Sequence, residues 1–140
     1  MTPHQIKLVQ TSFAQVAPIA AAAADLFYGR LFEIAPPLRT MFPEDLAEQN
    51  KKLMAMLGTA VAGLSQLDTL MPAVRALGRR HAGYGVGARH YAPVGSALLW
   101  TLEKGLGEAF TPELKDAWAT AYIVLSTTMI DAANERPMAA

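Results

Sequence analysis

The sequence contains no cysteine among its 140 residues. Disulfides, iron–sulfur clusters and thiolate metal sites are therefore excluded. Neither sign of charge is in excess, because 12 Lys and Arg balance 12 Asp and Glu. No basic tract suggests binding to nucleic acid or to an anionic membrane. Only three histidines are present, and they lie far apart in the sequence.

Long hydrophobic runs are also missing. The alanine-rich apolar run 18–24 is too short to cross a bilayer. Its Ala-x-Ala pattern leaves a cleaved signal peptide open. Against this, Ile6, Val9, Phe13 and Val16 repeat at helical spacing, which favours a folded amphipathic helix. We therefore expect a cytoplasmic chain without a membrane segment.

What is present is a large apolar fraction with helical periodicity. Hydrophobic residues make up 52% of the chain, and a chain of this size buries roughly 70% of its extended surface. The length predicts a single domain over 1–140, with a frayed tail after about residue 134. Because there is no convincing strand alternation or repeat, we predict an all-α fold of about six long helices plus a short 3₁₀-like segment.

Capping and proline signals predict where these helices begin and end. Thr2-Pro3-His4-Gln5 is a capping box that begins the first helix, which should stop near Pro18. Pro36 and Pro37 favour a tight 3₁₀ turn. The other helices are predicted over about 19–33, about 45–64, from near Pro72 to about 85, from about 91 to 105 or 107, and from Thr111-Pro112 onward. Leu26, Phe27, Leu31 and Phe32 are expected on the broad buried face of the second helix.

His81 lies on the same helical stripe as Val74 and Leu77, whereas Arg75 and Arg79 lie on another face. A buried imidazole needs a hydrogen-bond partner or a metal. Two interpretations remain open from the pattern alone: a core histidine bonded to a backbone carbonyl, or a metal ligand. A zinc site needs three or four protein ligands, whereas haem needs one strong ligand because the porphyrin supplies four nitrogens.

Three residues before His81, namely Tyr28, Phe42 and Gln49, are further candidates for a binding site. Phe42 follows the proline pair and by itself is compatible with an ordinary core position. Tyr28 has a phenol that is costly to bury without a partner. Gln49 lies one turn before Leu53 at the head of an apolar face, although a solvated surface position fits the pattern equally well.

The intervals joining Tyr28, Phe42, Gln49 and His81, with the segment Leu77-Gly-Arg-Arg-His81, resemble those of globins. The resemblance is closer to single-domain bacterial haemoglobins and to the globin part of flavohaemoglobins, and it covers about 5–132. It implies the globin fold around one haem b, with His81 as the proximal iron ligand. It also implies gas contacts from Tyr28, Gln49 and Leu53, and haem contacts from Phe42, Leu53, Leu57, Arg80, Val86, Tyr91 and Val94.

The resemblance implies reversible binding and transport of oxygen, carbon monoxide and nitric oxide, with high oxygen affinity, by a monomer or weak homodimer. Tyr28 and Gln49 would donate hydrogen bonds to a partly anionic gas ligand. No histidine stands at the distal position, so bis-histidine ligation of the neuroglobin kind is not expected. Lys52 or Arg80 could reach a haem propionate, and Gln49, Lys52 or water could provide the sixth ligand of ferric iron.

The chain departs from the flavohaemoglobin pattern on the proximal side. Tyr91 matches the family's proximal tyrosine, but the partner glutamate position falls on Ala133, with Asp131 and Glu135 on other faces. This departure weakens the case for strong oxygen activation. The sequence also ends where a flavin and nicotinamide reductase module would begin, so turnover would require an external reductase. Nitric oxide dioxygenation, a sensor role and a haem-free helical interaction module remain the alternatives.

Overall fold

The structure is a computed structural model that describes residues 1–134. Six α-helices account for most of this part of the chain: α1 (Pro3–Val16), α2 (Ala20–Ile34), α3 (Ala47–Gly63), α4 (Leu67–Gly83), α5 (Tyr91–Leu106) and α6 (Pro112–Ala133). Short 3₁₀ turns lie at Ala17–Ile19, Pro36–Met41, Leu64–Gln66, Ala88–His90 and Gly107–Ala109. The predicted all-α class and six long helices are confirmed. The predicted fraying beyond residue 134 lies outside the described residues.

Local signals set several helix ends as expected. The Thr2 hydroxyl accepts a hydrogen bond from the Gln5 N–H at 3.1 Å, and the Gln5 side chain accepts one from the Thr2 N–H at 2.9 Å. These two bonds form the predicted capping box. The Thr111 hydroxyl likewise accepts from the Leu114 N–H at 3.2 Å and caps α6.

The predicted start of the fourth helix is wrong. This helix begins at Leu67, and Pro72 lies inside it. Proline removes one hydrogen bond from a helix interior. Leu70 and Val74, on either side of Pro72, pack against Met129 of α6, and this burial offsets the lost bond.

The predicted burial of Leu26 is also wrong, because this side chain is 38% exposed. The buried stripe of α2 runs through Ala24, Phe27, Tyr28 and Leu31. Leu26 lies outside that stripe, although the apolar composition of α2 gave no way to tell its faces apart.

The main core lies between α1, α2, α5 and α6, where Val9, Leu31, Ala97 and Trp118 are almost completely buried. Helix α4 packs on α6, and α2 packs on α5. Val61 is the residue that α3 contributes to the fully buried set, and α3 contacts α1, α2 and α4. Helix α3, which carries Gln49, therefore has the fewest fully buried residues of the six helices, whereas α4, which carries His81, buries Leu70 and Val74 in a separate cluster against α6.

The stretch 47–83 is long and apolar enough to pass a test for a membrane span based on length and composition. The 3₁₀ turn Leu64–Gln66 divides it into α3 and α4. Core helices of water-soluble proteins pass the same test, so the result is weak support for a span.

Candidate functional site

Aromatic rings surround Tyr28, which is only 3% exposed. Its ring stacks on Phe32 with centroids 5.9 Å apart and meets Phe42 edge-to-face at 5.4 Å. Phe27 makes a second edge-to-face contact at 5.0 Å, and the centroids of Phe32 and Phe42 lie 5.5 Å apart. Such pairs add about 0.5–1.5 kcal/mol each beyond area burial. The Tyr28 ring is thus held firmly in one orientation.

The Tyr28 hydroxyl has a polar partner at this buried position. Burial raises the pKa of Tyr28 above its ordinary value, and a hydrogen bond from the Gln49 side chain lowers it by a smaller amount. The phenol is therefore protonated at neutral pH and is available as a donor. The structure brings together the two residues that the sequence predicts as a distal pair.

The position of Gln49 depends on how α3 joins α2. Gln49 is half-buried in the first turn of α3. The side-chain amide of the next residue, Asn50, donates to the Asp25 carboxylate of α2 at 2.8 Å. Leu53 and Leu57, one and two turns further along α3, pack against the main core. These contacts orient the start of α3 toward Tyr28.

His81 is half-buried near the end of α4, and its Nδ1 lies 2.9 Å from the Leu77 carbonyl oxygen. Because a carbonyl can only accept, Nδ1 carries the hydrogen and Nε2 keeps the free lone pair. The two sequence interpretations of His81 are thus compatible. One nitrogen bonds the backbone, and the other can ligate a metal.

Tyr91 begins α5, and its side chain packs against the α4–α6 apolar cluster of Leu70, Val74 and Met129. Burial raises the pKa of Tyr91. The Tyr122 hydroxyl of α6 donates to the Tyr91 carbonyl oxygen at 2.5 Å. A Cβ on Gly95 would lie 2.7 Å from a Tyr122 ring carbon, so a glycine at this position lets the two helices approach.

The other predicted residues lie around this arrangement in different environments. Val94 is half-buried and packs against the main core. Val86 is half-buried in the turn after α4, where its N–H donates to the His81 carbonyl at 3.0 Å. Lys52 and Arg80 are exposed. Their assignment to haem propionates stays a prediction.

The position assigned to the family's glutamate is half-buried at the end of α6, where Ala133 is the last helical residue. Asp131 is exposed, in agreement with its expected place on another face. Glu135 lies outside the described residues.

Sequence reasoning missed three residues that shape the distal side. Phe32 stacks on Tyr28 from one turn further along α2, and the i, i+4 spacing could have revealed this pair. The Asp25 carboxylate of α2 accepts a hydrogen bond from the Asn50 side chain of α3 and so links the two helices. Arg39 bonds backbone carbonyls after Phe42. The contacts of Asp25 and Arg39 have no periodic signature.

The site residues predicted from the sequence fit a haem group. His81 offers a single free nitrogen, which is the one strong ligand that haem requires. Half-buried apolar side chains from three segments, Phe42, Leu53, Leu57 and Val94, are available to cover a flat apolar group. A small apolar cavity is lined in part by Leu53 and Leu57 of α3, together with Phe27, Leu98 and Trp118. Within residues 1–134, no three His, Asp or Glu side chains are grouped so that they could hold a metal ion.

Comparison with known proteins agrees with this geometry. The family model "Globin" matches residues 25–129. A neuroglobin from Danio rerio is 36% identical in an alignment 118 positions long, and the match covers 74% of this chain and 74% of the relative. A flavohemoprotein from Bordetella bronchiseptica is 32% identical over 133 residues, covering 93% of this chain and 33% of the relative. This chain therefore spans about a third of the length of that flavohemoprotein.

Solved structures share the same architecture. A bacterial globin from Campylobacter jejuni has a TM-score of 0.83 and 24% identity, covering 94% of this chain and 96% of that one. A carbene transferase engineered from a candidate nitric oxide dioxygenase of Rhodothermus marinus has a TM-score of 0.84 and 27% identity, covering 95% and 93%. Globins are haem proteins whose iron is held by a proximal histidine. By its fold and by a family match that spans Tyr28, Phe42, Gln49, His81 and Tyr91, this chain belongs to the globin family.

Proposed function

We propose that this chain is a cytoplasmic, single-domain globin that holds haem b through His81 and reversibly binds diatomic gases with high oxygen affinity. The observation that carries the proposal is the buried Tyr28 hydroxyl, ringed by aromatic side chains, with the Gln49 side chain as the polar group that acts on it. A polar hydroxyl buried among apolar side chains is costly to maintain. Donation of hydrogen bonds to a polar or partly anionic ligand would explain why Tyr28 and Gln49 occupy these positions.

On the proximal side, the Leu77 carbonyl fixes the tautomer and the ring orientation of His81. When the nitrogen that does not ligate donates its N–H in a hydrogen bond, the other nitrogen becomes a stronger electron-pair donor to the metal. A backbone carbonyl does this less strongly than a carboxylate would. With alanine at position 133, the proximal side favours reversible binding over oxygen activation.

On the distal side, haem supplies the metal that holds the gas, and the protein supplies the hydrogen bonds. The Tyr28 O–H and the Gln49 amide would donate hydrogen bonds to the partial negative charge on a diatomic ligand held there. A hydrogen bond to a charged acceptor contributes about 1.5–3 kcal/mol. Leu53 and Leu57 cover the same side with apolar surface and exclude water, which slows oxidation of the metal.

Absorption spectra test the proposal directly. The purified chain, supplied with haem, should give distinct spectra in its ferric, ferrous and carbonyl forms, and His81→Ala should loosen or lose the pigment. His4→Ala is the matched control, because His4 is exposed and pairs with Glu113 at 2.7 Å. A wild-type chain without a Soret band would instead support a haem-free helical module.

Nitric oxide dioxygenation is the second candidate, favoured by the distal Tyr28–Gln49 pair and by the flavohemoprotein relatives. In this reaction nitric oxide and oxygen combine with one electron to give nitrate. The electron would come from an external flavin reductase. We give this activity second place because the proximal position at Ala133 has no carboxylate.

Turnover experiments separate the two candidates. The oxygen-loaded protein is mixed with nitric oxide, first alone and then with a flavin reductase and a nicotinamide cofactor. A single turnover that reductase does not extend favours the gas carrier. Sustained nitrate production at a constant rate favours the enzyme.

A further inference from the structure

The side chain of Arg39, near the end of the 3₁₀ turn Pro36–Met41, holds three consecutive backbone carbonyls. Nη1 donates to the carbonyl oxygens of Phe42 at 3.3 Å and Pro43 at 2.9 Å. Nη2 donates to the Glu44 carbonyl oxygen at 2.9 Å. The guanidinium carbon also lies 5.3 Å from the centroid of the Phe32 ring. One half-buried side chain thus contacts both the backbone after Phe42 and the aromatic cluster around Tyr28.

The backbone of the bonded segment makes few other hydrogen bonds, although Phe42 and Leu46 pack against the main core. It connects the 3₁₀ turn ending at Met41 to α3, which begins at Ala47, and it lies outside both elements. Leu46 provides no side-chain cap for α3. The Asp45 carboxylate accepts from the Ala47 N–H at 3.0 Å at the end of the segment. Carbonyls outside regular structure need other partners, and at residues 42–44 the partner is Arg39.

Both ends of this segment carry distal residues. Phe42 stands at its start and touches Tyr28 edge-to-face. Gln49 stands just past its end, in the first turn of α3. A shift of the segment would therefore displace both residues relative to Tyr28, whose orientation also depends on Phe32.

We propose that Arg39 is a positioning residue for the distal side: by clamping residues 42–44 it sets the place of Phe42 and of the Tyr28–Gln49 donor pair. The inference rests on the proposed gas-binding function. Arginine suits this task because its planar fork presents five donors, whereas the lysine ammonium is a compact point charge on a flexible stem. Arg39→Lys keeps the charge but loses the fork, and Arg39→Ala loses both.

Arg30→Ala is the matched control. Arg30 is also half-buried and lies over an aromatic ring, with its guanidinium carbon 5.2 Å from the Trp100 centroid. It pairs with Glu33 at 3.3 Å. None of its hydrogen bonds reaches the segment 42–46. The Arg30→Ala change therefore removes a cation–π contact like that of Arg39 with Phe32, but at a place away from the segment 42–46.

The first measurement is infrared spectroscopy of the carbonyl form, because the C–O stretch responds to nearby hydrogen-bond donors. We expect one main band in the wild type and in Arg30→Ala, and an added or shifted band in Arg39→Ala. Haem transfer to excess apomyoglobin should be about tenfold faster in Arg39→Ala, which corresponds to ~1.4 kcal/mol. Arg39→Lys should lie between Arg39→Ala and the wild type in both measurements.

The second measurement does not depend on haem. Amide hydrogen exchange in the haem-free chain should be about tenfold faster over residues 44–50 in Arg39→Ala, and unchanged there in Arg30→Ala. Three results overturn the inference: unchanged exchange at 44–50, an unchanged C–O band, or equal acceleration of exchange and haem loss in both alanine variants. If the wild type takes up no haem, the proposed function fails, while the exchange comparison still decides the role of Arg39. If Arg39→Ala does not fold, Arg39→Lys decides it.

Discussion

At the scale of single residues, the Tyr28 hydroxyl should control how long oxygen stays bound. Tyr28→Phe removes the donor but keeps the ring among its aromatic neighbours. A hydrogen bond to a partly charged acceptor contributes about 1.5–3 kcal/mol. Its loss should therefore make oxygen dissociate about ten- to a hundredfold faster. Carbon monoxide, which is less polarised, should dissociate with a smaller change. Stopped-flow displacement measures both rates.

Tyr84→Phe is the control for this experiment, since Tyr84 is 73% exposed. Its substitution should leave both dissociation rates unchanged. An oxygen dissociation rate in Tyr28→Phe equal to that of the wild type would mean that Tyr28 does not donate to the ligand.

The sequence predicted the residues of the distal pair but not the residues that hold them. Tyr28 and Gln49 stand at intervals that a family resemblance can recognise. Arg39 donates to backbone carbonyls of an irregular segment. Because every residue type has a backbone carbonyl, the residues at 43 and 44 give no sign in the sequence that they accept these bonds. Asp25 meets Asn50 only because α2 and α3 cross where they do. Such contacts depend on tertiary geometry, which has no signature in a single sequence.

At the scale of helices, the close approach of α4 to α6 depends on Gly78. A Cβ at this position would lie 2.6 Å from Met129 Cα. Gly78→Ala must therefore separate the two helices, and we expect a loss of about 1–3 kcal/mol in the free energy of unfolding. Gly29→Ala is the matched control, because nothing lies within 4 Å of its added Cβ. That change should stabilise the helix by about 0.5–1 kcal/mol.

Urea unfolding of both variants measures the difference, with no change in the m-value expected for either. The separation of α4 from α6 should also move His81, so Gly78→Ala should lose haem faster than Gly29→Ala. Equal stability of the two variants would mean that α4 and α6 adjust without cost.

Helix ends were predictable where one local signal decides them. Thr2 and Thr111 supply capping hydroxyls, and Pro36 enforces a tight turn. The start of α4 was not predictable in this way. Pro72 suits a first turn, but burial of Leu70 against α6 favours five more helical residues before it. The energy that decides this boundary comes from a segment far away in sequence.

At the scale of the whole molecule, one buried and two half-buried tyrosines predict a loss of stability in alkali. Burial raises the pKa of Tyr28, Tyr91 and Tyr122 above the ordinary value of 10.0. Above that pH the unfolded chain releases protons that the folded chain keeps, so the free energy of unfolding falls as pH rises. Below that pH these groups contribute no pH dependence.

Tyr122→Phe tests this linkage, because proximity to Tyr91 adds to the effect of burial at Tyr122. The variant loses the hydrogen bond to the Tyr91 carbonyl at every pH, about 1 kcal/mol. Its stability should then fall less steeply above about pH 10 than that of the wild type. Urea titrations at several pH values measure the slope, with Tyr84→Phe as the exposed control. Parallel slopes in all three proteins would refute the assignment to Tyr122.

Unequal burial of the helices predicts how haem would change the stability of the molecule. The fully buried residues of α1, α2, α5 and α6 form the main core, whereas α3 contributes Val61, and α4 packs mainly on α6. Helices with few buried contacts open more easily than the core. A ligand that binds only the folded state stabilises it by RT ln(1 + [L]/Kd), about 4 kcal/mol at a thousandfold excess over Kd.

A ligand held by His81 and covered by Leu53 and Leu57 should stabilise α3 and α4 more than the other helices. Hydrogen exchange measured with and without haem should slow most over 47–83 and least over α1. His81→Ala should cancel most of this slowing, and His4→Ala should retain it. Equal slowing in every helix would mean that α3 and α4 already open only together with the main core.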